Sequence, residues 1–356
     1  MKQIMLPFAR LKNKLTVLGL LICCLAQTGF SFVRPLSVYP DCPTYKNTYS
    51  FNWGFYAHRH INRLAVFTLP PEMFGFYKKN IDFITTNAIN ADQRRYAMEG
   101  EAPRHFIDLD VYVDSLKNQL PNYSWKQATE KIGEDSLYKH GIVPWHINAM
   151  KYQLTEAFRK KDLKRILSLS TDMGHYIADA HVPLHTTRNY NGQLTNQLGI
   201  HGFWESRLPE LFAANYDFFV GQATYEAYPQ KRAWQAVIGA HTALDSVLTF
   251  ERRLSDQLSE DKKYSFEEVN GNTARVYARD FSVKYHQMLQ KQVERQMRAS
   301  IKMIGDFWLT CWVDAGQPDL SSLQKYESTQ QEAEQDKEEK KSWLRKLFEA
   351  RPEDNR

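Results

Sequence analysis

Cysteine is scarce in this 356-residue chain: Cys23, Cys24, Cys42 and Cys311 are the only four, and none stands in a CxxC spacing. That excludes a disulfide framework and leaves any metal to be held by histidines and carboxylates. Charge of one sign is also missing, since 46 basic and 41 acidic residues leave a formal +5 spread through a mixed surface. Such a balance argues only weakly for an anionic partner. The one prominent apolar run, Leu15 to Ala26, falls short of the about 20 residues a membrane span needs. Strand-like alternation is sparse after residue 53. What is present is apolar bulk, 43% hydrophobic and 13% aromatic, enough to bury a substantial core and to exclude a disordered chain.

Lys2, Arg10, Lys12 and Lys14 precede the run Leu15 to Ala26, the layout of a secretory signal. Residues 1–26 are therefore expected to be a signal peptide and the protein to be exported, periplasmic or extracellular. Residues 27–52 then form an N-terminal extension. Cys24 follows Leu21 at lipoprotein spacing, but Cys23 occupies the place of a small residue, so lipid anchoring is the lesser alternative. In an oxidising compartment Cys42 and Cys311 remain for pairing, and the sequence does not say whether they meet.

From residue 53 the periodicity is helical. Ile147, Met150, Leu154, Phe158, Leu163, Ile166, Leu169 and Met173 recur at helical spacings, with a break near Lys161 and Asp162, which predicts two core helices across Trp145 to Ala180. Further helices are predicted from Ala233 to about Leu254 and from Thr273 to about Val313, with Tyr190 to Gln197 as a loop between the two regions. The expectation is one all-α domain over 53–318. A charged tail, 319–356, follows; Gln330 to Ser342 reads as a solvated helix or a linker, and Trp343, Leu344, Leu347 and Phe348 make a short apolar face for docking or peripheral membrane contact.

Five of the eleven histidines lie in stretches where carboxylates recur at ligand spacings. His175-x-x-x-Asp179 places an imidazole and a carboxylate on one helix face. Pro183 then breaks the helix, His185 follows, and His201-x-x-x-Glu205 repeats the pairing. One such pair is weak, being easily produced by capping or salt bridging; two within about thirty residues, with a histidine between, are harder to dismiss. Upstream stand Trp53, His58, Asp92 in Ala-Asp-Gln-Arg-Arg, and His105 in Arg-His-Phe-Ile-Asp. The remaining histidines, His60, His140, His146, His181, His241 and His286, have no partner pattern and read as hydrogen-bonded or surface residues. Arg104 reads as a structural ion pair rather than a phosphate contact.

In order and spacing, these motifs over Trp53 to Asp314 resemble the superfamily that joins the zinc-dependent phospholipases C of bacteria to the zinc-dependent single-strand nucleases. The resemblance implies a single helical domain of that type, with a cleft holding three Zn2+ ions. It assigns Asp92, His105, His175 and Asp179 to one zinc. Trp53 and His58 go to a second, which Asp179 bridges to the first, and His185, His201 and Glu205 to a third. It further implies phosphodiester hydrolysis by a hydroxide between two zincs. Such a pair of ions about 3.5–4 Å apart brings the pKa of a water from near 16 towards 7. Asp92 would also orient or deprotonate the water.

Glu205 matches the phospholipase branch, whereas the Trp53 to His58 step matches the nucleases, as do Phe106 and Asp108 at positions that stack on and hydrogen-bond a base. The expected function is therefore a phospholipase C-like hydrolase, with a single-strand nuclease as the alternative and a non-catalytic metal-binding helical protein as an alternative of another class. The expected partner is a phosphodiester, phospholipid or single-stranded nucleic acid; no protein partner is indicated. Val182 departs from the Gln usual in both branches. In the family the counterpart of Trp53 is the mature amino terminus and binds zinc through its α-amine and carbonyl. Here about 26 residues separate it from the expected cleavage, and Ser50-Phe51-Asn52 is a poor signal-peptidase site. A second cleavage, a site made by the carbonyl and His58 alone, or a weak second zinc are the three alternatives.

Overall fold

Apolar residues at helical spacing, punctuated by proline and by left-handed turns, set the architecture. The structure, a computed structural model, describes residues 54–95, 97–269, 272–323 and 325–349. The expected signal peptide, Cys23, Cys24, Cys42 and Trp53 lie outside the described residues.

Two long antiparallel helices, Val143–Arg159 and Leu163–Asp179, form the centre. They are separated at the predicted break, where Lys161 adopts φ 53° and the Asp162 side chain accepts the backbone N–H of Arg165 at 3.0 Å. This aspartate cap satisfies one of the donors that a helix start leaves open. The helix Phe55–Ala65 packs on Leu163–Asp179 and on Gln292–Asp314, while Pro229–Gln257 covers the outer side of Val143–Arg159. Pro229 at the first helical position, where its missing N–H costs nothing, explains why that helix begins before the expected Ala233. Trp308, Tyr77, Phe158, Met173 and Ile177 fill the interior. Each such buried side chain contributes about 1.5–3 kcal/mol relative to exposure.

The helix predicted from Thr273 to Val313 is three elements instead. Asn272–Tyr277 is a strand paired antiparallel with Tyr264–Val269, Tyr264 opposite Tyr277. The helix Arg279–Met288 follows, and Gln290 and Lys291, at φ 47° and 63°, turn the chain before Gln292–Asp314. Packing selected the strand: the Tyr277 ring stacks on Phe203 at 3.7 Å. Two alternating runs around Asn270-Gly271 were the hairpin signal in the sequence. Helices otherwise carry the described fold, and none of them is long and apolar enough to cross a membrane.

The chain after Pro318 returns to the body. Leu320 is buried, the Tyr326 N–H donates to Asn80 Oδ1 at 2.7 Å, and Lys164 pairs with Glu332 at 2.6 Å. Gln330–Glu349 is helical. The side chains of Trp343, Leu344, Leu347 and Phe348, read as an apolar face, lie outside the described residues. Cys311 is fully buried, its thiol donating to the Lys151 carbonyl at 3.4 Å; its expected pairing partner, Cys42, lies outside the described residues.

Candidate metal centre

The last turn of the Leu163–Asp179 helix carries His175 and Asp179 inward, where both are at most 1% exposed. Gly174 makes this approach possible, because a Cβ there would lie 1.9 Å from Asn62 Oδ1 on the neighbouring Phe55–Ala65 helix. That second helix delivers His58, whose ring stacks on His175 with centroids 4.1 Å apart. Two short elements close the far side: Asn90–Arg94 supplies Asp92, and the turn Ala102–His105 supplies His105. After Pro183 ends the central helix, the turn Pro183–Thr186 presents His185. His201 and Glu205 come from Ile200–Gly202 and a π-helical turn, Phe203–Arg207, a local widening often found at functional sites.

Eight of the nine residues expected as metal ligands thus converge, and the ninth, Trp53, lies outside the described residues. They form three groups, His58 with His175 and Asp179, Asp92 with His105 and His175, and His185 with His201 and Glu205. His175 belongs to the first two groups. Its Nε2 is 3.3 Å from Asp179 Oδ2, 3.5 Å from Asp92 Oδ1 and 3.2 Å from His105 Nδ1. Asp179 also faces His58, Oδ1 to Nε2, at 3.4 Å, and His105, Oδ2 to Nδ1, at 2.9 Å. Glu205 joins the outer groups: Oε1 is 3.1 Å from His58 Nε2, and Oε2 is 2.7 Å from His201 Nε2 and 3.4 Å from His185 Nε2.

These donors fit a cation. Ligand atoms about 2.0–2.1 Å from a tetrahedral zinc stand about 3.3–3.4 Å apart, close to the separations just given. The outer nitrogens are already committed: His175 Nδ1 donates to the Ala88 carbonyl at 2.8 Å, and His185 Nδ1 to the His105 carbonyl at 2.6 Å. A neutral ring so tethered turns a lone pair inward, towards carboxylate lone pairs, and only a proton or a metal ion relieves that repulsion. The ionisation of the cluster carries the same message. Burial opposes charge on His175, yet Asp179 and Asp92 hold its pKa well above the ordinary value. Burial likewise opposes charge on His185, but Asp179 and Glu205 push it up to about 9. Burial alone would raise Asp92, Asp179 and Glu205; the surrounding imidazoles instead hold Asp92 down at about 2 and the other two well below their usual range.

The site is partly open to solvent. Asp92 is 29% exposed and His201 21%, whereas His105 and His175 are sealed. A small pocket at this mouth is lined by Phe106, Asp108, Tyr190 and Arg95 beside His185 and His201. The Asp108 carboxylate lies 3.2 Å from His140 Nδ1, and its N–H donates to the His140 carbonyl at 2.7 Å. Gly141, at φ 87°, leaves room for the Phe106 carbonyl, which a Cβ there would approach to 2.1 Å. Phe106 and Asp108 thus line a pocket together with His185 and His201.

Sequence reasoning missed Tyr190, which no spacing marks, and Glu101, a fully buried carboxylate behind His105. Glu101 stands four residues before His105, so the Glu-x-x-x-His spacing was its available signal. Arg104 pairs with Glu101 at 2.7 Å, the structural role expected of it. The other histidines have ordinary partners: His181 Nδ1 donates to Ile177 O at 2.8 Å, His286 meets the Tyr216 hydroxyl at 2.7 Å, and His60 stacks on Tyr56. No protein-family model matches this chain, and no curated protein matches it.

Proposed function

We propose that this chain is a zinc-dependent phosphodiester hydrolase, phospholipase C-like, in which Asp92, His105, His175 and Asp179 hold one ion, His58 and Asp179 a second, and His185, His201 and Glu205 a third. The observation that carries the reading is that His175 belongs to two neighbouring donor groups while the two oxygens of Asp179 face His58 and His105, an arrangement that suits ions placed side by side rather than a single structural ion. When bound, zinc supplies Lewis acidity, lowering the pKa of a water towards about 7 and neutralising phosphoryl charge.

The protein's own groups supply position and proton transfer. Asp92, the most exposed of the three carboxylates, accepts the proton of the attacking water or orients it towards phosphorus. Water adds to phosphorus and gives up a proton, the P–O bond to the leaving oxygen breaks, that oxygen takes up a proton, and the products are a phosphomonoester and the free alcohol. Arg95 lines the mouth, its Nε without a hydrogen-bond partner among the described residues, and its guanidinium would pair with a non-bridging phosphoryl oxygen.

Glu205 favours a phospholipid substrate by its resemblance to the phospholipase branch. The mouth pocket favours the second reading, a single-strand nuclease: Phe106 and Tyr190 offer aromatic faces and Asp108 an acceptor, and base stacking is worth about 1–3 kcal/mol. The test is hydrolysis of phosphatidylcholine vesicles against single-stranded DNA, each with and without chelator. Chelator-sensitive turnover of the lipid supports the first reading and of DNA the second; hydrolysis of neither by zinc-loaded protein leaves the non-catalytic metal-binding alternative.

A further inference from the structure

Four groups converge on the buried Glu101 carboxylate: Arg94 at 3.4 Å and the Tyr176 hydroxyl on Oε1, Arg104 at 2.7 Å on Oε2, and His105 Nε2 at 3.8 Å from Oε1. His105 Nε2 is itself buried, with no hydrogen-bond partner among the described residues at that separation. The opposite nitrogen, Nδ1, faces Asp179 Oδ2 at 2.9 Å, His175 Nε2 at 3.2 Å and Asp92 Oδ1 at 3.7 Å.

A neutral imidazole carries one proton, so Nδ1 presents a lone pair to that group only if the proton sits on Nε2. A buried Nε2–H requires an acceptor, and Glu101 Oε1 is the carboxylate oxygen placed to take it. The two guanidinium groups favour the anionic carboxylate, the better acceptor, and Arg94 reaches on to Asp172 at 2.9 Å, tying the short Ala102–His105 turn to the central helix. We propose that Glu101 is a positioning residue for the metal centre: it holds the His105 proton on Nε2, so that Nδ1 is the ligand atom. The proposal rests on reading Asp92, His105, His175 and Asp179 as ligands of one ion. It differs from a purely structural ion-pair hub, which would have no influence on the tautomer.

The test has two arms. In zinc-loaded wild-type protein with 15N-labelled histidine, the expected long-range nitrogen–proton pattern for His105 has the proton on Nε2 and a metal-bound Nδ1; a proton on Nδ1 overturns the proposal. Glu101→Gln keeps the shape and removes the charge, and zinc affinity at one site, read by competition with a chromogenic chelator, should fall about 10- to 100-fold. Tyr176→Phe removes another partner of the same carboxylate and should leave that affinity unchanged. Unchanged affinity in a folded Glu101→Gln variant, or an equal loss in Tyr176→Phe, overturns the positioning role alone. Failure of the wild-type chain to bind zinc overturns the metal reading and this role with it. Should Glu101→Gln not fold, the spectroscopic arm on wild-type protein decides.

Discussion

His175 Nε2 lies 3.2 Å from His105 Nδ1, while the other nitrogen of His175 is tied to the Ala88 carbonyl at 2.8 Å. Two nitrogens held face to face in a sealed site, among carboxylates, need a cation between them, a proton or a metal ion. Zinc should therefore stabilise the fold: at free zinc 100 times the dissociation constant, each site adds about 2.7 kcal/mol. Urea denaturation with chelator and with zinc measures the difference; identical midpoints would show that no ion is held.

The stripped protein should carry a distinctive pH dependence. His185, pushed up to about 9 by Asp179 and Glu205 against the opposing effect of burial, has a folded pKa above its unfolded value of 6.5. Its charge therefore contributes stability that is complete below about pH 6.5 and is lost as pH rises through about 9. Chelated protein should weaken over that window and zinc-loaded protein should not, because the ion replaces the proton. Denaturation midpoints across pH 6 to 9.5 test this, and a chelated protein as stable at 9.5 as at 6 would refute it.

Asp92→Asn should fold and lose about 10²- to 10⁴-fold in turnover, the range ascribed to a positioned acid or base. The expected pattern is a wild-type circular dichroism spectrum with kcat reduced. Full activity in that variant removes Asp92 from the chemistry.

Gly174→Ala probes the packing beneath the site. The new methyl would meet Asn62 Oδ1 at 1.9 Å, so the Asn62 side chain must give up its place and its bond to the Thr171 carbonyl or the two helices must separate, at a cost of about 1–3 kcal/mol. Both the urea midpoint and zinc affinity should fall together, since His175 follows directly. A loss of stability with zinc affinity intact would uncouple the helix contact from the site.

Cys311 should be inert. It is completely buried, and burial pushes its thiol up to about 12, leaving almost no thiolate near neutrality. A thiol reagent should label it only on unfolding; rapid labelling of Cys311 in the native protein would contradict its placement in the core.

Much of this was legible in the sequence because the relevant signals are short-range. The break at Lys161 and Asp162 followed from a lapse in periodicity, and His175 with Asp179 from the four-residue repeat of a helix. The hairpin Tyr264–Tyr277 was not seen because its second strand, Asn272–Tyr277, runs directly into a helical region and was absorbed into it, although Asn270-Gly271 marked the turn; packing of Tyr277 on Phe203 holds the strand. Convergence of Asp92 and His105 on the central helix, and of Glu205 on His58, depends on contacts between residues far apart in the chain, so it entered through resemblance rather than spacing. Glu101 and Tyr190 illustrate the remainder: they act through neighbours that tertiary packing brings to them.

The central claim is that these donors hold zinc and that the ions drive phosphodiester hydrolysis. Stripping the protein with chelator and titrating zinc back while following a chromogenic phosphodiester tests it most directly. Turnover should be absent in the stripped protein, rise with added zinc, and saturate when the three donor groups are filled. Turnover that survives the chelator, or none once zinc is fully bound, would contradict it.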